Sequence, residues 1–204
     1  MLRRMQITPA KLNEYKIAYL CPGYAPAVVT TVSPSGSVNI AIFDQVMLAS
    51  YRPPRILLSI TPTSDTYKNI QDGSDCVVGF PRQEYIQMAY DCGVKAPREV
   101  SELQLIEGIT TYPSAIVDAP SLDQCWINME CRRKEVIPTG DHHMVLLDIV
   151  NVSIEEQIWH DDRVERRNNL PAVYYTTSGW FFSPGDRFHV DLSERLHEFG
   201  NKEL

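Results

Sequence analysis

The run Asn39-Ile-Ala-Ile-Phe-Asp-Gln-Val-Met-Leu-Ala-Ser50-Tyr-Arg-Pro53-Pro54-Arg-Ile-Leu-Leu-Ser-Ile60 constrains the fold more than any other stretch of the chain. It opens with the branched apolar residues of a strand, loosens into polar and small residues as far as Ser50, meets two prolines and resumes as an apolar strand. Proline has no amide hydrogen to give to a ladder, so Pro53-Pro54 ends one element and begins another. The expected arrangement is strand, loop, strand. A loop held between rigid strands is where backbone N–H groups and hydroxyls meet ligands, and two further polar signals, Ser64-Asp65-Thr66 and Gly140-Asp141-His142, are candidates to converge on it.

The flanks extend this β pattern. Ala27–Val32 reads as a strand, Ser33-Pro-Ser-Gly-Ser37 as a turn and Val38–Phe43 as the returning arm of a hairpin. Arg55–Thr61 makes a third strand. Ser64 or Asp65 then caps a short helix through Tyr67–Ile70, closed by Asp72-Gly73, and Cys76–Phe80 is a strand stopped by Pro81. Between Arg82 and Leu103 the period turns helical: Tyr85, Met88, Ala89 and Cys92 share a face, Gly93 ends the helix, and Pro97 suits the start of a second. Ser121–Ile158 reads as two long strands around Pro138-Thr-Gly-Asp141, with Met144–Val152 apolar enough for a strand covered on both faces. Two aromatic strands, Ala172–Thr176 and Gly179–Phe182, come with a turn at Ser183–Asp186, and an amphipathic helix, Leu192–Phe199, follows.

No repeat or linker interrupts 1–204, so a single domain is expected, mainly β and closed, with a few peripheral helices. Strands outnumber helices, hairpin-length connections dominate and no Gly-x-Gly-x-x-Gly occurs, which argues against a Rossmann reading. The net charge is −7, with 26 acidic against 19 basic residues, so no global field favours nucleic acid or an anionic membrane. The densest basic patch, Arg163-Val-Glu-Arg166-Arg167, follows Glu155-Glu156 and Asp161-Asp162 and reads as a solvated loop. No apolar run approaches the roughly 18 residues of a membrane span, and Met1-Leu-Arg-Arg-Met-Gln lacks a secretory core, so a cytoplasmic protein is expected. The five cysteines (Cys21, Cys76, Cys92, Cys125, Cys131) form no Cys-x-x-Cys and read as inert buried thiols. His/Asp/Glu spacings suited to a metal are absent, as is the Gly-x-Ser-x-Gly of a serine hydrolase.

The order Asn39-Ile-Ala, Ser50-x-x-Pro53-Pro54, Arg55 to Ile60, Asp65-Thr66-x-x-Asn69-Ile70 and Gly140-Asp141-His142 resembles the flavin reductase-like family of FMN-binding split β-barrels over roughly residues 20 to 155. That resemblance implies a split β-barrel of Greek-key, FMN-binding type and a homodimer. It also implies an NAD(P)H-dependent flavin oxidoreductase that moves a hydride from nicotinamide to flavin N5 and passes reduced flavin or electrons to a monooxygenase or another acceptor protein. By position it places Asn39 and the backbone of Ile42, Phe43, Asp44, Gln45, Val46 and Met47 along the flavin ring. Ser50, Ser64 and Thr66 fall at the phosphate with Asn69 beside them, and His142 at the reacting rings. FMN is the expected flavin, with FAD as the other candidate. Two departures stand out: Asp44 where relatives carry a small polar residue, and Arg52 before the prolines. These keep two alternatives open, an FMN electron carrier without efficient nicotinamide turnover and a flavin-free barrel acting as a binding module. Trp126, Trp180, Tyr174 and Tyr175 read as core or dimer contacts rather than stacking platforms.

Overall fold

The computed structural model describes residues 23–98, 100–159, 170–176, 179–183 and 185. Eleven strands are present among them: β1 Ala27–Val32, β2 Val38–Phe43, β3 Val46–Tyr51, β4 Pro54–Ile60, β5 Cys76–Pro81, β6 Thr111–Tyr112, β7 Ser121–Leu122, β8 Cys125–Pro138, β9 His143–Ile154, β10 Tyr174–Tyr175 and β11 Phe181–Phe182. The helices are α1 Asp65–Gln71, α2 Ile86–Asp91, entered through a 3-10 turn at Gln83–Tyr85, and α3 Glu102–Leu105.

Seven strands form one antiparallel sheet in the order β2-β1-β5-β8-β9-β4-β3. β2 and β3 are joined by Asp44 and Gln45 alone, yet they occupy opposite edges. In a flat sheet those edges would stand roughly 29 Å apart, at about 4.8 Å per strand. The link from Phe43 to Val46 reaches only about 11 Å. The sheet therefore rolls up until its edges meet. β2 pairs with β1 and β3 with β4, and no described ladder joins β2 to β3, so the barrel has a seam. This is the expected split β-barrel.

Alternation along the strands makes two cores. Ala27, Val29, Leu58, Val78, Val145 and Leu147 point into the barrel, where Ile70 of α1 closes one end. Val28 and Ile40 point outward and are covered by Ala89 and Cys92 of the α2 segment together with Leu122 and Cys125.

Several expectations need correction. The stretch from Asp44 to Ser50 is not a loop: only Asp44 and Gln45 bend, and Val46–Tyr51 is strand β3, whose irregularity between Leu48 and Ser50 absorbs its polar composition. Arg52-Pro53 is the tight turn of the β3–β4 hairpin, joined by a cis bond, and Pro54 is the first residue of β4, opposite Tyr51. The second helix starts at Glu102, capped by the Ser101 hydroxyl, whereas Pro97 opens a turn closed by the Val100 amide. β9 is not covered on both faces, since Val145 and Leu147 are buried while Met144, Val150 and Val152 are exposed. The turn between the aromatic strands is closed by the Thr176 amide on the Trp180 carbonyl, ahead of Ser183. The expected helix Leu192–Phe199, the patch Arg163–Arg167, Cys21, and Pro184 and Asp186 of the expected turn lie outside the described residues.

Candidate functional site

The seam leaves backbone donors on an open sheet edge. In an antiparallel ladder, alternate residues of an edge strand turn their amides outward. Ile40 is one of them, because its N–H donates to Glu102 Oε2 of α3 at 2.8 Å rather than to β1. Glu102 is buried for this purpose, and burial pushes its carboxyl above the ordinary glutamate range against the opposing pull of the Ile40 amide. Two residues on, the Ile42 amide faces the same edge, beyond the reach of that carboxylate. The chain then bends at Asp44-Gln45, and the Gln45 carbonyl accepts the Ser59 amide at 2.9 Å, fastening the bend to the C-terminal end of strand β4.

A cavity of about 190 Å³ opens here, lined by Pro26, Ile42, Asp44, Tyr90 and Tyr175. A wider groove of about 960 Å³ adjoins it, sharing Ile42 and Tyr90 and continuing over Met88, Gly93 and Ile106. The aromatic side is built by packing. Tyr90 of α2 meets Phe181 edge-on at 5.7 Å, and Tyr175 lies 5.0 Å from Phe181. Tyr175 thus forms a wall of the cleft, packed on Phe181, while Trp180 is 73% exposed. Trp126 packs beside Phe80, and Tyr174 stacks on Phe182. Tyr90 escaped the sequence reading because it sits one residue off the apolar face of its helix, and Glu102 because a lone acid in a short helix looks solvated.

Of the residues expected at a cofactor, Ile42 and Asp44 line the cleft, and Phe43, Gln45, Val46 and Met47 continue through the bend into β3, with Met47 60% exposed. Asn39, Thr66 and Asn69 come together elsewhere. The Asn39 amide donates to Thr66 Oγ1 at 2.8 Å, the Asn69 amide to Thr31 Oγ1 at 3.0 Å, and Arg98 donates to Asn69 Oδ1 at 3.2 Å. Thr66 and Asn69 are buried, and this network seats α1 across the end of the barrel. Ser64 caps α1 by accepting the Tyr67 amide at 3.2 Å, and its hydroxyl donates to the Thr61 carbonyl at 3.0 Å.

Ser50 does not join them. It pairs with Arg55, at the opposite end of β4 from the Ile60 that leads into the Ser64 turn. Five strand residues separate those ends by about 17 Å. The expected meeting of two hydroxyl-bearing bends within one chain is therefore replaced by a single polar end of β4, where Asp44-Gln45, Ser59 and the Ser64 turn gather.

His142 is not on a strand. It sits in the β8–β9 turn, where its carbonyl accepts from the Thr139 amide and hydroxyl and its Nδ1 lies 3.1 Å from Asp141 Oδ1. The bond to His142 holds the exposed Asp141 carboxyl below its usual range. β9 begins at His143, which pairs with Ile60 and whose Nδ1 meets the Tyr67 hydroxyl at 2.8 Å. That turn lies two strands, roughly 10 Å, from the Asp44-Gln45 bend.

The cysteines among the described residues add no reactive group. Cys76, Cys92, Cys125 and Cys131 are buried, free thiols. Burial pushes Cys92 up to about 12 and raises Cys125 as well, while the contact with Cys76, reinforced by burial, raises Cys131. Among the described residues no His/Cys/Asp/Glu group could hold a metal, and no helix is long and apolar enough to cross a membrane.

Comparison with known proteins converges on one family. An uncharacterized protein from Halalkalibacterium halodurans is 34% identical over 177 residues, covering 81% of this chain and 83% of the relative. The FMN reductase (NADH) RutF 2 from Rhizobium rhizogenes is 27% identical over 69% of this chain and 78% of its own length. Among solved structures, nitrilotriacetate monooxygenase component B from Bacillus cereus shares the fold, with a TM-score of 0.86 at 20% identity over 93% of this chain and 100% of that one. A family model matches residues 23–178, and the chain belongs to the flavin reductase like domain family that this model describes.

Proposed function

We propose that the protein is an NAD(P)H-dependent flavin oxidoreductase that uses FMN at the barrel seam. The observation that carries the reading is the seam itself, which presents the outward Ile42 amide and the Asp44-Gln45 bend beside a cleft with flat apolar and aromatic walls. Family membership and the FMN reductase relative support it.

The donor set fits a flavin. A backbone N–H on an open edge can hydrogen-bond the carbonyl edge of the ring, where negative charge gathers on reduction, and Pro26 and Ile42 supply apolar surface beside it. For the phosphate, the Ser64 hydroxyl and the Lys68 ammonium stand at the near end of β4. Among the described residues Lys68 pairs with Asp65 at 2.9 Å, a partly exposed i,i+3 contact of little cost to exchange. Asn39, Thr66 and Asn69 act by seating α1, and so the Ser64 turn, against the barrel. When bound, the flavin supplies the redox chemistry, and the protein's part is to align donor and acceptor rings and exclude water.

Titration with FMN, followed by its fluorescence, is expected to show saturable binding, and loss of nicotinamide absorbance with added FMN to show turnover. Absence of FMN binding overturns the proposal. Binding without nicotinamide oxidation would instead favour the electron carrier, in line with a carboxylate, Asp44, at the cleft opposing an anionic reduced ring. His142→Ala is expected to slow nicotinamide-driven reduction by about tenfold, the low side of a positioning effect, with FMN affinity changed far less. Equal rates would leave His142 as a turn residue only.

We also propose that two copies associate through the outer face of β3, β4 and β9. The ladders align Met47 with Leu57 and Leu57 with Leu146, and Ser59 with Met144 and Met144 with Ile137. Met47, Met144 and Ile137 are exposed, so an apolar strip crosses the sheet, larger than scattered surface residues explain. Light scattering is expected to give twice the chain mass of 23.2 kDa, and Met47→Asp to shift it toward the single chain. A wild-type protein that stays monomeric would refute this.

A further inference from the structure

The cleft at the seam has a one-sided charge. Asp44 is the carboxylate of the inner cavity, whose other walls are Pro26, Ile42 and the two tyrosines at 90 and 175. The adjoining groove carries Asp91 and Glu107. Among the described residues lining either space there is no lysine, arginine or histidine to offset them. Outside these linings, Arg82 is paired with Glu155 and Arg98 with Asp72, while Lys95, which follows the groove residue Val94, is exposed.

Building on the flavin reading above, we propose that Asp44 makes this cleft a receptor for planar aromatic rings that are neutral or cationic, and turns away anionic ones. The shape argument comes from the walls: aliphatic surface on Pro26 and Ile42 faces tyrosine rings set by Phe181, a slot suited to a flat partner. The charge argument comes from Asp44, which is half-buried at the bend, so an anion at contact distance meets a carboxylate only partly screened by water. A hydride-donating ring that turns from neutral to cationic as it reacts is favoured by the same group. An aromatic acid is not. Asp44 is thus a specificity-determining residue, and the electron donors or acceptors that enter are expected to lack a charged acid on the ring.

Benzamidine, benzamide and benzoate share one ring and nearly one shape while carrying positive, zero and negative charge. Their binding to the full chain is measured by calorimetry or saturation-transfer NMR, with FMN present and again without it. Benzamidine and benzamide are expected to bind at least about tenfold more tightly than benzoate, the scale of a single partly screened charge contact. Asp44→Asn is expected to bring benzoate to within about twofold of benzamide, and Asp91→Asn to leave the wild-type ratio nearly unchanged. Benzoate binding as tightly as benzamide to the wild type overturns the proposal, as does an unchanged ratio in Asp44→Asn, a ratio restored by Asp91→Asn instead, or no binding of any probe. FMN affinity is read separately, so a chain that fails to bind FMN sinks the flavin reading while the probe ratio still decides the role of Asp44.

Discussion

Replacing Glu130 with Ala is expected to cost about 3–5 kcal/mol of folding stability, as three buried backbone donors lose their acceptor at roughly 1–3 kcal/mol each with partial relaxation. Glu130 is 2% exposed on β8, yet its carboxylate is satisfied on all sides. The Ala115 amide and the Asn151 side chain donate to Oε1 at 2.9 and 2.7 Å, and the Ile116 and Val117 amides to Oε2 at 2.6 and 3.1 Å. Those amides belong to the segment leading to Val117 and Ala119, which covers Val77 of β5. Without the carboxylate, three backbone donors lose their acceptor and the cover loosens. Glu130→Gln keeps the shape but turns an NH2 toward groups that also donate, so it too is expected to destabilise.

The pH dependence tests the same assignment. Burial alone would raise the Glu130 carboxyl, but the four hydrogen bonds outweigh it and the net shift is downward from 4.5. The folded form therefore holds its proton more weakly than the unfolded one. Its contribution is fully present above the unfolded value and is lost as pH falls through the folded one. Urea unfolding should show the gap between wild type and Glu130→Gln at its widest near neutral pH and narrower in acid. Glu102 has the opposite sign. Its raised carboxyl makes ionisation oppose folding as pH rises above the free value, and Glu102→Gln, which still offers an oxygen to the Ile40 amide, is expected to remove that loss. A gap that stays flat with pH in either variant would rule out the corresponding role.

Gly79→Ala is the second large effect, expected at about 1–3 kcal/mol as an overpacked core site. A Cβ at this position on β5 would stand 2.7 Å from Cys125 Sγ and 2.8 Å from Asn128 Oδ1. Neither neighbour yields easily. Cys125 is buried in the outer core, and the Asn128 side chain both accepts the Leu122 amide and donates to the Leu122 carbonyl, tying β7 to β8. The backbone itself is ordinary extended strand, so the whole loss is steric. Cys125→Ala should therefore recover part of it in the double variant, a coupling that thermal unfolding of the four proteins measures. Purely additive losses would mean that the contact with Cys125 is not the cause.

Much of this architecture was legible in the residues. The Ser33–Ser37 turn and the Ser64 cap announce themselves because each needs particular local chemistry and fall where that chemistry put them, while the expected Pro138–Asp141 turn lies one residue on, at Thr139–His142. The Val46–Tyr51 strand was hidden because Ala49 and Ser50 break the alternation at an irregular ladder step. The exposed face of β9 was hidden for another reason: an apolar run looks the same whether its second face meets helices or stands open. At the site, Ile42 and Asp44 followed from position along the chain, whereas Tyr90 and Tyr175 reach the cleft through packing between distant segments. The destination of Ser50 could not be read without knowing that β4 runs straight between the two bends.

The pairing order of the large sheet also bears on how the chain is made. Arg55 of β4 meets Asp148 of β9, a partner 93 positions further along. As synthesis proceeds from the amino end, the β3–β4 hairpin emerges early and must wait, one flank unzipped, until most of the polypeptide has left the ribosome. During that interval the same flank can accept the β9 of a neighbouring molecule, so crowding nascent copies together is expected to yield strand-exchanged pairs before it yields amorphous aggregate.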